Sequence, residues 1–134
     1  MEKIYILDAC ALIAYLTDEP GSDIVAEYLR NNSRVAMHKL NLLEVYYGFY
    51  AEQGKECADN ILRDVKKLKI EIIDNFSDEM FLQAGRLKAS YRISLADSML
   101  LAQAMVLNAA ILSSDHHELD EIEELEQIKF LWIR

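Results

Sequence analysis

The residues of this sequence best suited to chemistry are four acids that lie next to apolar segments, namely Asp8, Glu44, Asp97 and Asp115. Bringing two such carboxylates to about 5 Å, at an effective dielectric near 20, costs roughly 3 kcal/mol per pair, so a cation is their natural companion. Oxygen ligands without accompanying cysteines favour Mg²⁺ or Mn²⁺. Because such ions support phosphodiester hydrolysis, the four acids predict a metal-dependent nuclease.

Each of these acids also has a purely structural interpretation as a helix cap. Asp8 could cap the helix that follows it, and three spacings resemble capping boxes: Asn41-x-x-Glu44, Ser94-x-x-Asp97 and Asp115-x-x-Glu118. The surroundings favour a site. Residues 98–108 carry no charge, so Asp97 begins a helix that is apolar on nearly every face, where an unbound carboxylate is costly.

Two histidines follow the last acid, which raises the question of further metal ligands. If a helix begins there, His116 and His117 point about 100° apart and do not easily face one ion. We therefore treat His116 as a secondary site candidate, more readily a surface or neighbouring group than a ligand. Glu118 is a second such candidate, at the edge of the site. The acidic run from Glu121 to Glu126 indicates a solvated helix face.

Length and composition predict one domain, residues 1–134, since 134 residues with 52% hydrophobic content can bury a single core. Cys10 and Cys57 are isolated, so the sequence favours neither a disulfide framework nor a zinc knuckle, and a reducing cytoplasm fits best. The apolar N-terminal segment is interrupted by Asp8, and no stretch approaches the roughly 18 apolar residues of a membrane span. The net charge of −9 argues against a broad basic face and for a basic partner.

The pattern of strands and helices predicts how these acids are positioned. The predicted strands, near-continuously apolar, are 3–7, 34–38, 70–74, 110–114 and 128–132. The predicted helices are 10–17, one around 23–31, 41–53, 56–68, 77–91, 95–108 and an acidic one after Asp115. Such alternation predicts an α/β fold of three layers, α/β/α, with a central and mainly parallel sheet. Ligands bind beyond the carboxyl ends of such strands, where Asp8 and Asp115 should both lie.

Four motifs in order resemble those of PIN-domain ribonucleases, particularly the VapC-like toxins of VapBC toxin-antitoxin pairs. They are ILDACALIAYL (6–16), NLLEVYYG (41–48), SLADSMLLAQA (94–104) and ILSSDHHEL (111–119). The resemblance implies that Asp8, Glu44, Asp97 and Asp115 hold one or two Mg²⁺ ions, with Mn²⁺ possible, for RNA cleavage. Ser113 takes the hydroxyl position two residues before the last acid. Cys10 departs from the family, since many relatives carry Ser or Thr there.

The same resemblance implies a homodimer and a small antitoxin protein that covers the site of this toxin. Water attack at phosphorus should leave a 5′-phosphate and a 3′-hydroxyl on the RNA. Two alternatives stay open: a catalytically inactive PIN-like module that binds protein or RNA, and a manganese phosphoesterase of the DHH type. The second is suggested by Asp115-His116-His117, although that family is longer and has further Asp and His motifs that this chain lacks.

Overall fold

The fold described here is that of a computed structural model, which describes residues 3–31 and 33–134. That part of the chain forms five strands and seven helices. In order they are β1 (Ile4–Leu7), α1 (Ala9–Leu16), α2 (Ser22–Arg30), β2 (Arg34–His38), α3 (Lys39–Gln53), α4 (Lys55–Lys66), β3 (Glu71–Ile73), α5 (Asp78–Ser90), α6 (Leu95–Leu107), β4 (Ala110–Ser113), α7 (His116–Glu126) and β5 (Phe130–Trp132).

The strands form one parallel sheet in the order β3-β2-β1-β4-β5. The central strand β1 pairs with β2 on one side and β4 on the other, so that Ile6 lies between Ala36 and Ile111. The strand order proceeds outward from β1 in one direction through β3, and β4 then starts on the other side. Such a reversal opens a crevice at the carboxyl ends of the two strands, here β1 and β4.

Helices cover both faces of the sheet. Successive side chains of a strand point to opposite faces, so neighbouring residues of β1 belong to different buried clusters. Ile6 belongs to a buried cluster formed with residues of α5, α6 and α7. Its neighbour Leu7 belongs to a second cluster formed with residues of α1, α2, α3 and α4. The predicted three-layer α/β/α arrangement with a parallel sheet is therefore confirmed.

The start of α3 differs from the prediction. The helix begins at Lys39 rather than Asn41, because the Nδ1 atom of His38 accepts the Leu40 N–H at 3.0 Å and caps it. The interpretation of Asn41-x-x-Glu44 as a capping box is therefore wrong, since His38 and not Asn41 caps this helix. The last strand begins at Phe130, two residues later than predicted. In the described ranges, no helix combines the length and apolar character that crossing a membrane requires.

Candidate active site at the carboxyl edge of the sheet

A pocket of about 230 Å³ opens where β1 and β4 end. Five of the residues that line it carry carboxylates, and none is Lys, Arg or His. The lining residues are Asp8, Ala9, Cys10, Glu44, Ser94, Asp97, Asp115 and Glu118. The fold thus gathers at one pocket the four acids singled out in the sequence, together with Glu118.

Asp8 is the most buried of these acids, with 5% of its surface exposed. It is the first residue after β1 and caps α1, since its Oδ1 accepts the Ala11 N–H at 2.7 Å. Its Oδ2 accepts the hydroxyl of the fully buried Ser113. Both oxygens are therefore fixed by donors from two different elements, which holds the carboxylate in a single orientation at the pocket.

Ser113 links the ends of the two central strands. Besides donating to Asp8, its Oγ accepts the backbone N–H of Asp115 at 3.0 Å. Asp115 in turn caps α7, because its Oδ1 accepts the Glu118 N–H at 3.2 Å. Asp8 and Asp115 thus cap helices and line the pocket at once, so the two interpretations of these acids are compatible.

Helices α3 and α6 supply the other two acids. Glu44 lies in the second turn of α3 and Asp97 in the first turn of α6, and both side chains are half-buried. The Oγ of Ser94 accepts the Asp97 N–H at 3.0 Å and caps α6. This part of the predicted capping box is present, yet the Asp97 residue itself faces the pocket.

Three carboxyl groups of the pocket, those of Asp8, Glu44 and Asp97, have pKa values shifted upward, towards their protonated forms. Burial is the largest cause of the rise in the pKa of Asp8 from 3.8 to about 7, with repulsion by Asp97 and Asp115 adding to it. Burial and then repulsion by Glu44 and Asp115 raise the pKa of Asp97 to about 6. The pKa of Glu44 is raised by burial and by Asp115. The negative charges are thus crowded and poorly solvated, as the sequence argument requires.

Cys10 forms part of the pocket wall. Burial, followed by repulsion from Asp8, Asp115, Glu44 and Asp97, raises the pKa of its thiol to about 12. The thiol therefore stays neutral near pH 7 and acts as a weakly polar wall rather than a nucleophile.

The two histidines lie outside the pocket lining. The Nδ1 of His116 is 2.8 Å from Oδ1 of Asp120, and its Nε2 is 2.8 Å from the carbonyl oxygen of Arg134. The His116 ring also stacks on Trp132, with centroids 3.9 Å apart. Both ring nitrogens are thus engaged elsewhere, and His117 is exposed on α7.

The donor chemistry of the pocket fits a hard divalent cation. Five carboxylates without a neighbouring basic side chain are the ligands that Mg²⁺ and Mn²⁺ prefer. In residues 3–31 and 33–134, no three His, Cys, Asp or Glu side chains are already arranged as a finished metal-binding group. Mg²⁺ sites of one or two carboxylates completed by waters and substrate phosphate do not require such a group.

Two features near the pocket were missed by the sequence argument. Ser94 was noted only as a cap, although it also lines the pocket. Asn41 was noted only as part of a capping box, although its Nδ2 donates to the carbonyl oxygen of Ala96 at 2.9 Å. The sequence did contain a signal for this bond, since Asn41 is an uncharged polar residue between Leu40 and Leu42. Such a residue is readily buried, and a buried amide needs a hydrogen-bond partner.

Comparison with known proteins identifies the family. The family model of the PIN domain matches residues 5–125, so this chain belongs to the PIN domain family. No curated protein sequence matches the chain.

Several solved structures share the fold. VapBC2 from Rickettsia felis, bound to a fragment of its promoter DNA, has a TM-score of 0.76 and 21% identity, over 96% of this chain and 98% of that one. DNA-bound VapBC from Salmonella typhimurium has a TM-score of 0.77 and 16% identity, over 100% of both chains. VapC20 from Mycobacterium tuberculosis, a toxin that cleaves the sarcin-ricin loop, has a TM-score of 0.62 and 10% identity, over 80% of this chain and 86% of that one.

Proposed function

We propose that this PIN-domain protein is an endoribonuclease that depends on Mg²⁺ or Mn²⁺ and serves as the toxin of a toxin-antitoxin pair. The observation that carries the proposal is the pocket lined by five carboxylates and no basic side chain, in which Asp8 is buried with a pKa raised to about 7. Membership of the PIN family and the fold shared with a toxin that cleaves the sarcin-ricin loop support it. The whole chain, residues 1–134, acts as one PIN-like domain in this proposal.

In this proposal Asp8, Glu44, Asp97 and Asp115 hold the metal. When bound, a divalent ion supplies positive charge that activates water and stabilises the oxygen leaving phosphorus. Ser113 keeps one oxygen of Asp8 oriented and fixes the backbone of Asp115, so that both strand ends keep their relative positions.

Residues at the rim complete the assignment. Glu118 adds negative charge on the first turn of α7, where it lines the pocket without being buried. His116 has no role at the metal in this proposal, because both of its ring nitrogens are engaged away from the pocket. A DHH-type phosphoesterase is not proposed, because His116 is engaged away from the pocket and the sequence lacks the further Asp and His motifs of that family.

We also propose a homodimer that is inhibited by a small basic antitoxin and works in the cytoplasm on RNA. The net charge of −9 attracts a basic chain, and an arginine reaching the carboxylates would imitate the charge of a metal. Exposed apolar side chains on α3 and α5, including Leu43, Tyr47, Phe81 and Leu82, provide surface for such contacts. The neighbours from Rickettsia felis and Salmonella typhimurium are VapBC complexes, which supports an antitoxin here.

The experiment offers a broad panel of RNAs to the purified protein with Mg²⁺, with Mn²⁺ or with EDTA. Wild type should cut at least one RNA only when a metal is present, and Asp8→Asn and Asp115→Asn should lower the rate by orders of magnitude. Asp64→Asn makes the same chemical change at an exposed position of α4 and should cut like wild type. A wild type that binds RNA but cuts none of the panel with either metal would favour a catalytically inactive module.

A further inference from the structure

The side chain of Asn41 is a buried amide whose hydrogen bond goes to another helix rather than to its own helix α3. Only 1% of its surface is exposed. Its Nδ2 donates to the Ala96 carbonyl oxygen at 2.9 Å, whereas its Oδ1 has no hydrogen-bond partner in the described residues. A buried amide that is only half satisfied is a poor way to stabilise a core, since the unpaired oxygen costs free energy. The value of Asn41 must therefore lie in the one bond it makes.

That bond joins the two helices that carry Glu44 and Asp97. Glu44 comes three residues after Asn41 and so lies one turn further along the same side of α3. Asp97 directly follows Ala96 in the first turn of α6. A hydrogen bond between residues 55 positions apart thus connects a side chain one turn before Glu44 to the backbone carbonyl of the residue beside Asp97.

The two acids push these helices apart. Glu44 and Asp97 line the same pocket, and no Lys, Arg or His is among its lining residues, so their like charges repel when both are ionised. The Asn41 amide is neutral, so it can hold α6 against α3 without adding charge of either sign. A lysine or arginine in its place would neutralise an acid and compete with a metal.

We infer that Asn41 is a positioning residue: its bond to Ala96 keeps the Glu44 and Asp97 side chains close enough for one metal site. This inference rests on the proposed function. Loss of partners that orient metal ligands typically weakens metal affinity 10- to 100-fold. Asn41→Leu keeps a similar volume but removes the donor, so it should bind Mn²⁺ about 10- to 100-fold more weakly while remaining folded, because the unpaired oxygen disappears with the amide.

A matched control exists on α6. Gln103 is fully buried, and its amide lacks hydrogen-bond partners in the part of the chain that the structure describes. Gln103 does not line the pocket. Gln103→Leu should therefore leave Mn²⁺ affinity unchanged, although it removes a buried amide of the same kind.

The test measures Mn²⁺ binding calorimetrically and hydrogen exchange in the first turn of α6 without metal, for wild type, Asn41→Leu, Asn41→Ala and Gln103→Leu. Both Asn41 variants should bind more weakly and exchange faster in that turn, and Gln103→Leu should match wild type. Asn41 variants that bind Mn²⁺ like wild type would overturn the inference and leave the metal site standing. Asn41 variants that both fail to fold would make Asn41 a structural residue and overturn it as well. A wild type that binds no Mn²⁺ would instead refute the proposed metal site, and the inference with it.

Discussion

Substituting Asp8 by Asn tests whether the pocket holds a carboxylate at an electrostatic cost. Burial is the main reason that the pKa of Asp8 rises from 3.8 to about 7 in the folded protein. A raised pKa means that the folded state binds the proton more tightly than the unfolded state. Ionisation of Asp8 alone therefore lowers the free energy of unfolding of the metal-free protein as pH rises from about 4 to about 7, by on the order of 4 kcal/mol at completion.

The substitution also disturbs a hydrogen bond, which acts in the opposite direction. Asn keeps an oxygen for the Ala11 N–H but presents an amide group where Asp8 accepts the Ser113 hydroxyl. An amide N–H can only donate, so the hydroxyl hydrogen of Ser113 loses its acceptor, while its Oγ still accepts the Asp115 N–H. A buried donor without an acceptor costs about 1–3 kcal/mol. Asp8→Asn should therefore be more stable than wild type by about 1–3 kcal/mol at pH 8 and less stable than wild type at pH 4.

Urea denaturation in EDTA at pH 4, 6 and 8 measures the free energy of unfolding for wild type and variant. Asp64→Asn, at an exposed position of α4, controls for the general effect of removing one negative charge. The stability difference between Asp8→Asn and wild type should change sign across this range, while that of Asp64→Asn should stay small. A difference for Asp8→Asn that is the same at all three pH values would refute the reasoning.

Three further outcomes are expected. Mg²⁺ should raise the melting temperature of wild type by mass action, and it should raise that of Asp97→Asn or Glu44→Gln much less. Equal rises in a thermal melt would show that these two acids do not bind the metal. Ser113→Ala should lower the free energy of unfolding by about 1–3 kcal/mol at pH 5 and weaken Mn²⁺ binding, and calorimetry showing unchanged affinity would contradict its orienting role. Cys10, with its pKa raised to about 12, should be alkylated at pH 8 roughly 10- to 100-fold more slowly than free cysteine, because the greater nucleophilicity of its thiolate only partly offsets the smaller thiolate fraction; labelling by mass spectrometry as fast as that of free cysteine would contradict that pKa.

Much of this fold was predictable because its strands are short apolar runs that end at a charged or polar residue. The end of β1 fixes where Asp8 lies, and the end of β4 fixes the position of Asp115, since the carboxyl ends of parallel strands share one edge. The grouping of these acids therefore depended only on local patterns and on the parallel arrangement.

Other features of the pocket depend on packing that no local pattern encodes. The bond between Asn41 and Ala96 joins residues 55 positions apart, and the bond between Ser113 and Asp8 spans 105 positions. His116 is the first residue of α7, and its ring is oriented by Trp132 and by the carbonyl oxygen of Arg134, which both follow the end of α7 in the sequence. Neither spacing nor residue type reveals such partners before the elements are packed.

The most direct measurement of metal-dependent hydrolysis is the chemistry of the RNA ends that the protein leaves. RNA that the protein cuts is digested by wild type with Mg²⁺ and with EDTA, and the termini are identified by mass spectrometry. Water attack supported by the carboxylate site predicts a 5′-phosphate and a 3′-hydroxyl, formed only with the metal and lost in Asp8→Asn. Products ending in a 2′,3′-cyclic phosphate, or cleavage that continues unchanged in EDTA, would contradict the account.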